Sequence, residues 1–431
     1  MRKLPRDESR AELVPPAVEP RLDRRLAGTK EVSLITQVRH YELITPLFGG
    51  GVDPGEADPL TIIRGPAIRG QLRFWWRACR GGQFNGDLRM MKEAEDELWG
   101  AASTEKEPRP SLVQIRLEIA NGGQHVQPFE SRTRPSPNWR DLAYATFPLQ
   151  DKNPPGEVRT GVKFKLTLTY PQKRRAEVEA ALWAWETFGG VGARTRRGFG
   201  ALKLLRIDDK PVPLPGAADV VTQIREGLQR HVTAGEWPAQ VPHLAPALTM
   251  KVTQGHPNPK AAWTYLIKQL KAFRQARNSG VSPRQPGRSR WPEPDAIRKL
   301  TGNRAPKHRQ ALLNIDKFPR AAFGLPIVFH FKDAGDPQDT ILQGKACDRL
   351  ASPLILRPLA CADSAVGLAV ILEGTGLMAL PGGLALKEAK GVTGKSWPVE
   401  AGLSKVEAKK IEPLNGNPAL LEAFLEFLNS S

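Results

Sequence analysis

The chain has 431 residues, with 63 Lys and Arg against 45 Asp and Glu, which gives a formal net charge of +18 at pH 7. This length predicts two or three domains, and 40% hydrophobic residues are enough to build buried cores. No apolar run approaches the ~20 residues of a membrane span, no signal-peptide core is present, and the three cysteines lack CxxC spacing. These features argue against a membrane protein, a disulfide scaffold and a cysteine-rich zinc module. We expect a cytoplasmic protein whose partner is a polyanion such as nucleic acid.

The first half of the chain shows alternating strand and helix patterns. Residues 1–30 carry four prolines, mixed charge and few apolar side chains, which predicts a flexible arm. Residues 31–210 predict one domain, in the order β-α-β-β-α-β that is typical of a ferredoxin-like fold. Its strands are expected at 33–48, 111–120, 162–170 and 201–207, and its helices at 67–80 and 173–188.

The second half predicts a decorated copy of the same plan. A proline-rich stretch indicates a linker over residues 211–245, and the second domain follows at 246–431. The predicted fold class is therefore α+β, with two ferredoxin-like domains, the second of which carries a basic insertion at 276–320. Its strands are expected at 246–253, 325–331, 350–359 and 365–374, and its helices at 261–277 and 417–430.

The helix at 67–80 concentrates positive charge. Four of its arginine side chains fall within about 80° of arc at 100° per residue: Arg69, Arg73, Arg77 and Arg80. No acidic residue occurs between positions 63 and 86. Because like charges on one helical face repel, such a face favours an external anion. The alternative is that these arginines pair with acids elsewhere in the chain, and Trp76 either stacks on a base or closes the core. The candidate RNA-binding residues here are Arg64, Arg69, Arg73, Trp76, Arg77 and Arg80.

A glycine-rich loop, GGVGARTRRGFG (189–200), is the second candidate. Glycines let a backbone approach a ligand closely, arginines attract phosphate, and a phenylalanine offers a face for stacking. The alternative is a flexible connection from helix to strand. The candidate residues are Gly190, Gly192, Arg194, Arg196, Arg197 and Phe199.

A basic segment at 271–320 is the third candidate. It contains 13 Lys and Arg against 3 Asp and Glu, a net charge of +10. Within it, Arg288 and Arg290 flank Trp291, and these three residues are its candidates for RNA contact. A disordered basic loop is the alternative.

Catalytic and cofactor signals are weak. His40 could act as the general base of a metal-independent ribonuclease, although a single histidine on a strand is usually a packed residue. Asp53, Glu56 and Asp58 could hold Mg²⁺, although acids among glycine and proline are usually turn formers. The segment 389–396 only loosely resembles a phosphate-binding loop, so we expect no cofactor, no metal and no enzymatic activity.

Together these motifs resemble the RAMP proteins of type III CRISPR-Cas systems, in particular the first-subunit family of the type III-B Cmr effector complex. The resemblance covers most of residues 33–360. The segments that carry it are ITPLFGGG (44–51), IRGPAIRGQLRFWWRACRG (63–81), the loop at 189–200, GRSRWPEPDAIR (287–298), FGLPI (323–327) and RLASPLILRP (349–358).

The resemblance implies a non-catalytic RNA-binding subunit of an RNA-guided antiviral complex. Its partners would be the 3′ part of the CRISPR RNA, target RNA and the other Cmr subunits. The family assigns RNA contact to the arginine helix and the glycine-rich loop in general terms. Two alternatives stay open: a RAMP endoribonuclease acting on RNA, and a protein–protein adaptor whose basic faces meet acidic subunits.

Overall fold

The computed structural model describes residues 33–49, 61–102, 108–150, 155–282, 287–389 and 394–428. The arm at 1–30 and the loop acids Asp53, Glu56 and Asp58 lie outside these residues. The described helices are α1 Gly65–Arg80, α2 Leu88–Trp99, α3 Ala143–Thr146, α4 Arg175–Phe188, α5 Val220–His231, α6 Pro259–Arg274, α7 Glu293–Thr301, α8 Lys405–Lys410 and α9 Leu420–Phe427. None of them is both long and apolar enough to cross a membrane.

The described strands are distributed over five antiparallel sheets. The fold is therefore a mixed α/β structure, as the α+β prediction requires. The strands are β1 Leu34–Leu43, β2 Leu47–Phe48, β3 Gln114–Asn121, β4 Gln124–Val126, β5 Phe129–Ser131, β6 Arg134–Pro135, β7 Val158–Thr160, β8 Lys163–Pro171, β9 Leu202–Ile207, β10 Lys210–Pro211, β11 Met250–Val252, β12 Ile327–Phe329, β13 Thr340–Gly344, β14 Leu354–Ala360, β15 Ala365–Ile371, β16 Leu384–Glu388 and β17 Ser396–Val399.

The largest sheet contains the strands predicted for the first half, in the order β10-β9-β1-β8-β3. Strand β1 lies between β8 and β9, and β8 carries β3 on its other edge. With α1 after β1 and α4 after β8, the succession β-α-β-β-α-β predicted for this half is confirmed.

One face of this sheet is covered by α1 and α4. In β8 the alternate residues Phe164, Leu166, Leu168 and Tyr170 are buried, because side chains alternate between the two faces of a strand. Helix α1 presents a matching apolar stripe at helical spacing, and α4 is apolar over most of its length. The core therefore lies between this sheet face and the two helices.

The second half differs from the predicted copy. Strands β11, β15 and β14 form a three-stranded sheet with α6 packed on it, and within the described residues this sheet has no fourth strand. The strand predicted at 325–331 is real, but it pairs in a separate sheet of order β12-β13-β16-β17. Strands β14 and β15 are buried on both faces, so their periodicity indicates strands without indicating which other strands they pair with.

Two segments expected to be irregular contain helices. The predicted linker at 211–245 includes α5, whose apolar residues pack on α4, with His231 stacked 5.1 Å from the Trp183 ring. The predicted insertion at 276–320 includes α7, which is largely buried. The prolines and basic residues that surround these two helices are typical of loops, so the sequence did not predict the helices. The domain boundaries themselves stay a prediction.

Candidate nucleic-acid interface

The arginine face of α1 is already paired. Arg73 donates from Nε to Glu95 Oε1 at 2.6 Å and from Nη2 to Asp96 Oδ1 at 3.0 Å, and Arg77 also pairs with Glu95. The Glu95 side chain is 2% exposed, so this carboxylate is a buried counter-ion for two guanidinium groups. Both acids come from α2, a helix that the sequence analysis did not predict. The expectation that Arg73 and Arg77 need an external anion is therefore wrong.

The remaining arginines of this region make few contacts. Arg69 donates to the carbonyl of Val113 at 3.4 Å, and Arg80 donates to the carbonyl of His231 at 3.5 Å, both at the long limit of a hydrogen bond. Arg64 precedes α1, and its side chain has no hydrogen bond or ion pair with the described residues. These three stay candidates for phosphate contact.

The aromatic residues proposed for base stacking belong to the core. Trp76 and Phe199 are 0% exposed and Trp291 is 1% exposed. Phe199 packs edge-on against Trp263 with ring centroids 4.8 Å apart, and Trp291 donates from Nε1 to the carbonyl of Phe273 at 2.9 Å. A stacked base needs an open ring face, so the stacking role predicted for Trp76 and Phe199 is wrong for this conformation, and the buried ring of Trp291 offers no contact surface for RNA.

The glycines of the 189–200 loop are required by the chain's own packing. Gly192 has φ +83°, and a Cβ there would lie 2.7 Å from the carbonyl oxygen of Phe48. A Cβ on Gly190 would lie 2.8 Å from the carbonyl oxygen of Gly200. The close backbone approach predicted for a ligand is therefore made to the protein itself. The loop holds its arginines in place and leaves the contact with an anion to their side chains.

Two arginines from different halves meet beside this loop. The Arg194 guanidinium carbon lies 5.1 Å from the Phe147 ring centroid, and that of Arg274 lies 6.0 Å from the Tyr144 ring and 5.1 Å from the Phe323 ring. Within the part of the chain that is described, neither side chain donates a hydrogen bond or pairs with an acid, and the Nε of each is buried without a partner. Both guanidinium groups therefore keep donors free for an external acceptor.

Arg197 lies between these side chains and the second half. It donates to the carbonyl of Leu354 at 3.0 Å and to that of Phe323 at 3.3 Å. Arg196 donates to the carbonyl of Ser352. Carbonyl oxygens satisfy donors but carry no formal charge, so neither arginine has a counter-ion among the described residues.

We call Arg194, Arg197 and Arg274 the arginine cluster. Burial, followed by the charges of Arg274 and Arg194, lowers the pKa of Arg197 below the usual arginine value. Burial and the charge of Arg274 likewise lower the pKa of Arg194. These shifts record desolvation and like-charge repulsion, both of which an anion between the three groups would offset. Arg194 also has φ +58°, a backbone conformation that costs a non-glycine residue about 1–2 kcal/mol.

The two arginines of the basic insertion are paired. Arg288 donates from Nη2 to Asp295 Oδ1 at 2.7 Å, and Arg290 pairs with Glu412. Both acids lie close in the fold, one in α7 and the other near the C-terminal helix. The charge of the insertion is therefore partly neutralised in the fold, and its two central arginines are not free for phosphate.

A fully buried arginine joins the two halves. Arg357 in β14 is 0% exposed, and it donates from Nη1 to the carbonyls of Trp185 at 3.2 Å and Gly189, and from Nη2 to that of Leu202 at 2.8 Å. These carbonyls lie where α4 enters the glycine-rich loop and where β9 leaves it. Arg357 therefore holds the base of the loop in place.

Two arginines that the fold places at the base of this region, Arg274 and Arg357, are not among the residues predicted for RNA contact. Arg274 ends α6, and the signal that could have identified it is the absence of acids around it, since residues 237–292 contain no Asp or Glu. Arg357 stands in an otherwise apolar strand, LILRPLA, where a lone charge signals a buried polar role. Arg274 lies inside the basic segment at 271–320 and Arg357 inside the segment 349–358, but neither residue was singled out for RNA contact.

Among the described residues, the candidate catalytic histidine has no partner of a catalytic site, and the candidate metal-binding acids Asp53, Glu56 and Asp58 lie outside those residues. His40 is half-buried on β1, its strand neighbours are Lys165 and Arg206, and no described residue hydrogen-bonds to its ring. One group of described residues could hold a metal ion: His308, Asp333 and Asp336. Its carboxylates already pair with cations, Asp333 with Lys307 and Asp336 with Arg298, so no charge is left over to attract a metal.

Comparison with known proteins identifies relatives over most of the chain. Residues 40–203 match the model of the RAMP superfamily. The chain is 29% identical over 180 residues to CRISPR system Cmr subunit Cmr1-2 of Pyrococcus furiosus, which covers 38% of this chain and 91% of that protein. It is 24% identical over 301 residues to Cmr subunit Cmr1-1 of the same organism, covering 68% of this chain and 75% of that protein.

Two solved structures are similar to this chain. The apo crystal structure of Cmr1 from Pyrococcus furiosus has a TM-score of 0.48 at 18% identity, covering 78% of this chain and 88% of that one. A chain of the type III-B Cmr-beta complex bound to cognate target RNA has a TM-score of 0.47 at 10% identity, covering 92% of this chain and 100% of that one.

The resemblance predicted from the motifs is confirmed by the superfamily match and by the curated relatives. The match runs from the last residues of β1 to the first residues of β9, and so contains α1, β3, β8, α4 and the glycine-rich loop. The arginine cluster therefore lies partly on the matched region and partly on α6 of the second half. Residues 40–203 therefore match the RAMP superfamily, and the chain is similar to the Cmr1 subunits of the CRISPR Cmr system of Pyrococcus furiosus.

Proposed function

We propose that this chain is a non-catalytic RNA-binding subunit of a Cmr-type, RNA-guided effector complex. It would contact the 3′ part of the CRISPR RNA or the captured target RNA, together with the other Cmr subunits. The family relationship supports the place in the complex, because both curated relatives are Cmr subunits. We also propose that the three-stranded sheet of the second half is a reduced version of the ferredoxin-like plan, since β11, α6, β14 and β15 follow its first four elements in order.

The observation that carries the RNA-binding proposal is the arginine cluster. Three guanidinium groups are gathered at the seam of the two halves without an acidic partner among the described residues. Burying like charges together is unfavourable unless an anion neutralises them. Arginine binds phosphate in a planar, two-pronged geometry, and phosphate is the repeating anion of RNA. The cluster therefore provides a phosphate site that the loop and the second half build jointly.

The test is a salt titration of RNA binding by a double variant, Arg194→Ala with Arg274→Ala. Single-stranded nucleic acid loses affinity with a log–log slope of about −0.7 per phosphate contact, so losing two contacts should flatten the slope by about 1.4. Between 50 and 200 mM salt, the wild-type affinity should then fall about 7-fold more than the affinity of the variant. Fluorescence polarisation with a labelled single-stranded RNA measures both slopes.

The matched control is Arg89→Ala with Arg175→Ala, which also removes two arginines. Arg89 pairs with Glu93 and Arg175 with Glu179, and both arginines are more than half exposed. The control should keep the wild-type slope. Equal slopes for the double variant and the wild type would refute the phosphate role of the cluster. Intact labelled RNA after incubation with Mg²⁺ is expected, and RNA products lost on His40→Ala would instead establish a ribonuclease.

A further inference from the structure

The second half contains a long stretch without negative charge. Residues 237–292 carry nine Lys and Arg and no Asp or Glu. Helix α6 lies inside this stretch and uses its apolar face, from Trp263 to Phe273, to pack on β14 and β15. The acid-free character of the stretch therefore leaves the opposite, solvent-exposed face of α6 purely cationic.

Three exposed lysines form one row on that face. Lys260, Lys268 and Lys271 fall within about 80° of arc at 100° per residue, and all three are exposed. We call them the lysine track. Lys260 and Lys271 have no ion pair with the described residues, and Lys268 has one contact, 3.4 Å to Asp141, in which both side chains are more than half exposed. A surface pair of this kind contributes about 0–1 kcal/mol, so the track keeps nearly its full charge.

The lysine track leads to the arginine cluster. Arg274 is the last residue of α6, three residues beyond Lys271. At a rise of 1.5 Å per residue, the track extends over about 16 Å along the helix axis. The cluster and the track are therefore successive parts of one positive surface on a rigid element.

An open cavity lies beside the track, between Lys260 and Lys268. Its volume is about 580 Å³, and its lining also includes Asn138, Asp141, His256 and Tyr265. The lining offers two cations, one of which contacts the single acid, beside aromatic and amide residues. Cations, aromatic rings and amides are the groups that contact the phosphate and the base of an unpaired nucleotide.

We propose that α6 guides single-stranded RNA away from the arginine cluster, with its phosphates on the lysine track and one nucleotide in the cavity. This inference rests on the proposed RNA-binding function and adds the path of the strand. The lysines act as point charges, so they hold the backbone without selecting sequence. The lysines of the path belong to the second half, whereas the cavity also takes Asn138 and Asp141 from the region that matches the RAMP superfamily.

The test is the triple variant Lys260→Ala, Lys268→Ala and Lys271→Ala. Loss of three phosphate contacts should flatten the salt slope for a 12-nucleotide RNA by about 2, so that wild-type affinity falls about 20-fold more than variant affinity between 50 and 200 mM salt. A 3-nucleotide RNA, which is long enough for the cluster alone, should bind the variant and the wild type equally. The matched control is Arg89→Ala, Lys92→Ala and Arg175→Ala, because each of these helical cations has an acid four residues along its helix.

The outcomes separate the two proposals. If the cluster variant weakens binding while the triple lysine variant behaves like its control, the lysine track is refuted and the RNA-binding function stands. If wild-type protein binds neither RNA, the proposed function itself fails. If the triple variant keeps its RNA slope but loses association with a Cmr subunit, the track is a protein-docking surface and the proposal is overturned. Circular dichroism of every variant verifies that its fold is intact.

Discussion

Glu95 holds two arginines of α1, and its removal should destabilise the protein more than any exposed acid of the same helix. In Glu95→Gln, the 2%-exposed carboxylate that Arg73 and Arg77 share becomes neutral. Removing one partner of a buried pair costs about 3–5 kcal/mol, and because these arginines are 24% and 30% exposed we expect about 2–3 kcal/mol. At a urea m-value of about 3 kcal/mol/M, the unfolding midpoint should fall by somewhat less than 1 M.

The matched control is Glu93→Gln on the same helix. Its carboxylate is 63% exposed and pairs only with Arg89, so we expect a loss within about 0.5 kcal/mol. Equal midpoint shifts for the two variants would refute the structural role of Glu95. The same variant tests α1 as an RNA surface, because Glu95→Gln releases Arg77 and leaves Arg73 with Asp96 as its acidic partner. An unchanged RNA salt slope is expected, whereas a steeper slope would return these arginines to the RNA interface.

Two further predictions concern backbone geometry and pH. Gly200→Ala should destabilise the protein by more than about 3 kcal/mol, because φ is +58° and a Cβ would lie 1.9 Å from the carbonyl oxygen of Val191. The control is Gly161→Ala, where φ is +76° but no atom lies within 4 Å of a Cβ. In the same urea assay, this control should lower the free energy of unfolding by about 1–2 kcal/mol. Hydrogen bonds from Lys307 and the neighbouring imidazole lower the pKa of Asp333, so its pairing stabilises the fold above about pH 4 and is lost as the pH falls through the lowered value. Asp333→Asn should therefore be less stable than the wild type at pH 7 and approach it at pH 3; a constant difference in urea midpoint would contradict this.

The first half could be predicted from the sequence because its elements follow local rules. Strand β8 alternates buried and exposed residues, and α1 carries an apolar stripe at helical spacing. The second half could not be predicted as well, because β14 and β15 are buried on both faces and give no alternation. The sequence did not predict helix α5, because the prolines that precede it are typical of a linker.

The sequence predicted which types of residue form the candidate site, but not how the fold arranges and pairs them. The sequence shows that Arg73 and Arg77 share a face, but only the fold shows that α2 brings Glu95 against them. The same limit applies to Trp76, whose ring lies in the core although its position between the two helical faces permits either role. Pairing between distant elements decides which charges are free, and periodicity within one element carries no information on it.

Arg357 changes what the predicted boundary near residues 211–245 means. Its guanidinium reaches from β14 to the carbonyls of Gly189 and Leu202, and side chains from both halves lie in one common core. The proline-rich stretch therefore separates two successive arrangements of strands and helices that share one core, and not two independent folding units. A fragment ending before β14 would keep every residue of the superfamily match and still lose the support beneath its own glycine-rich loop.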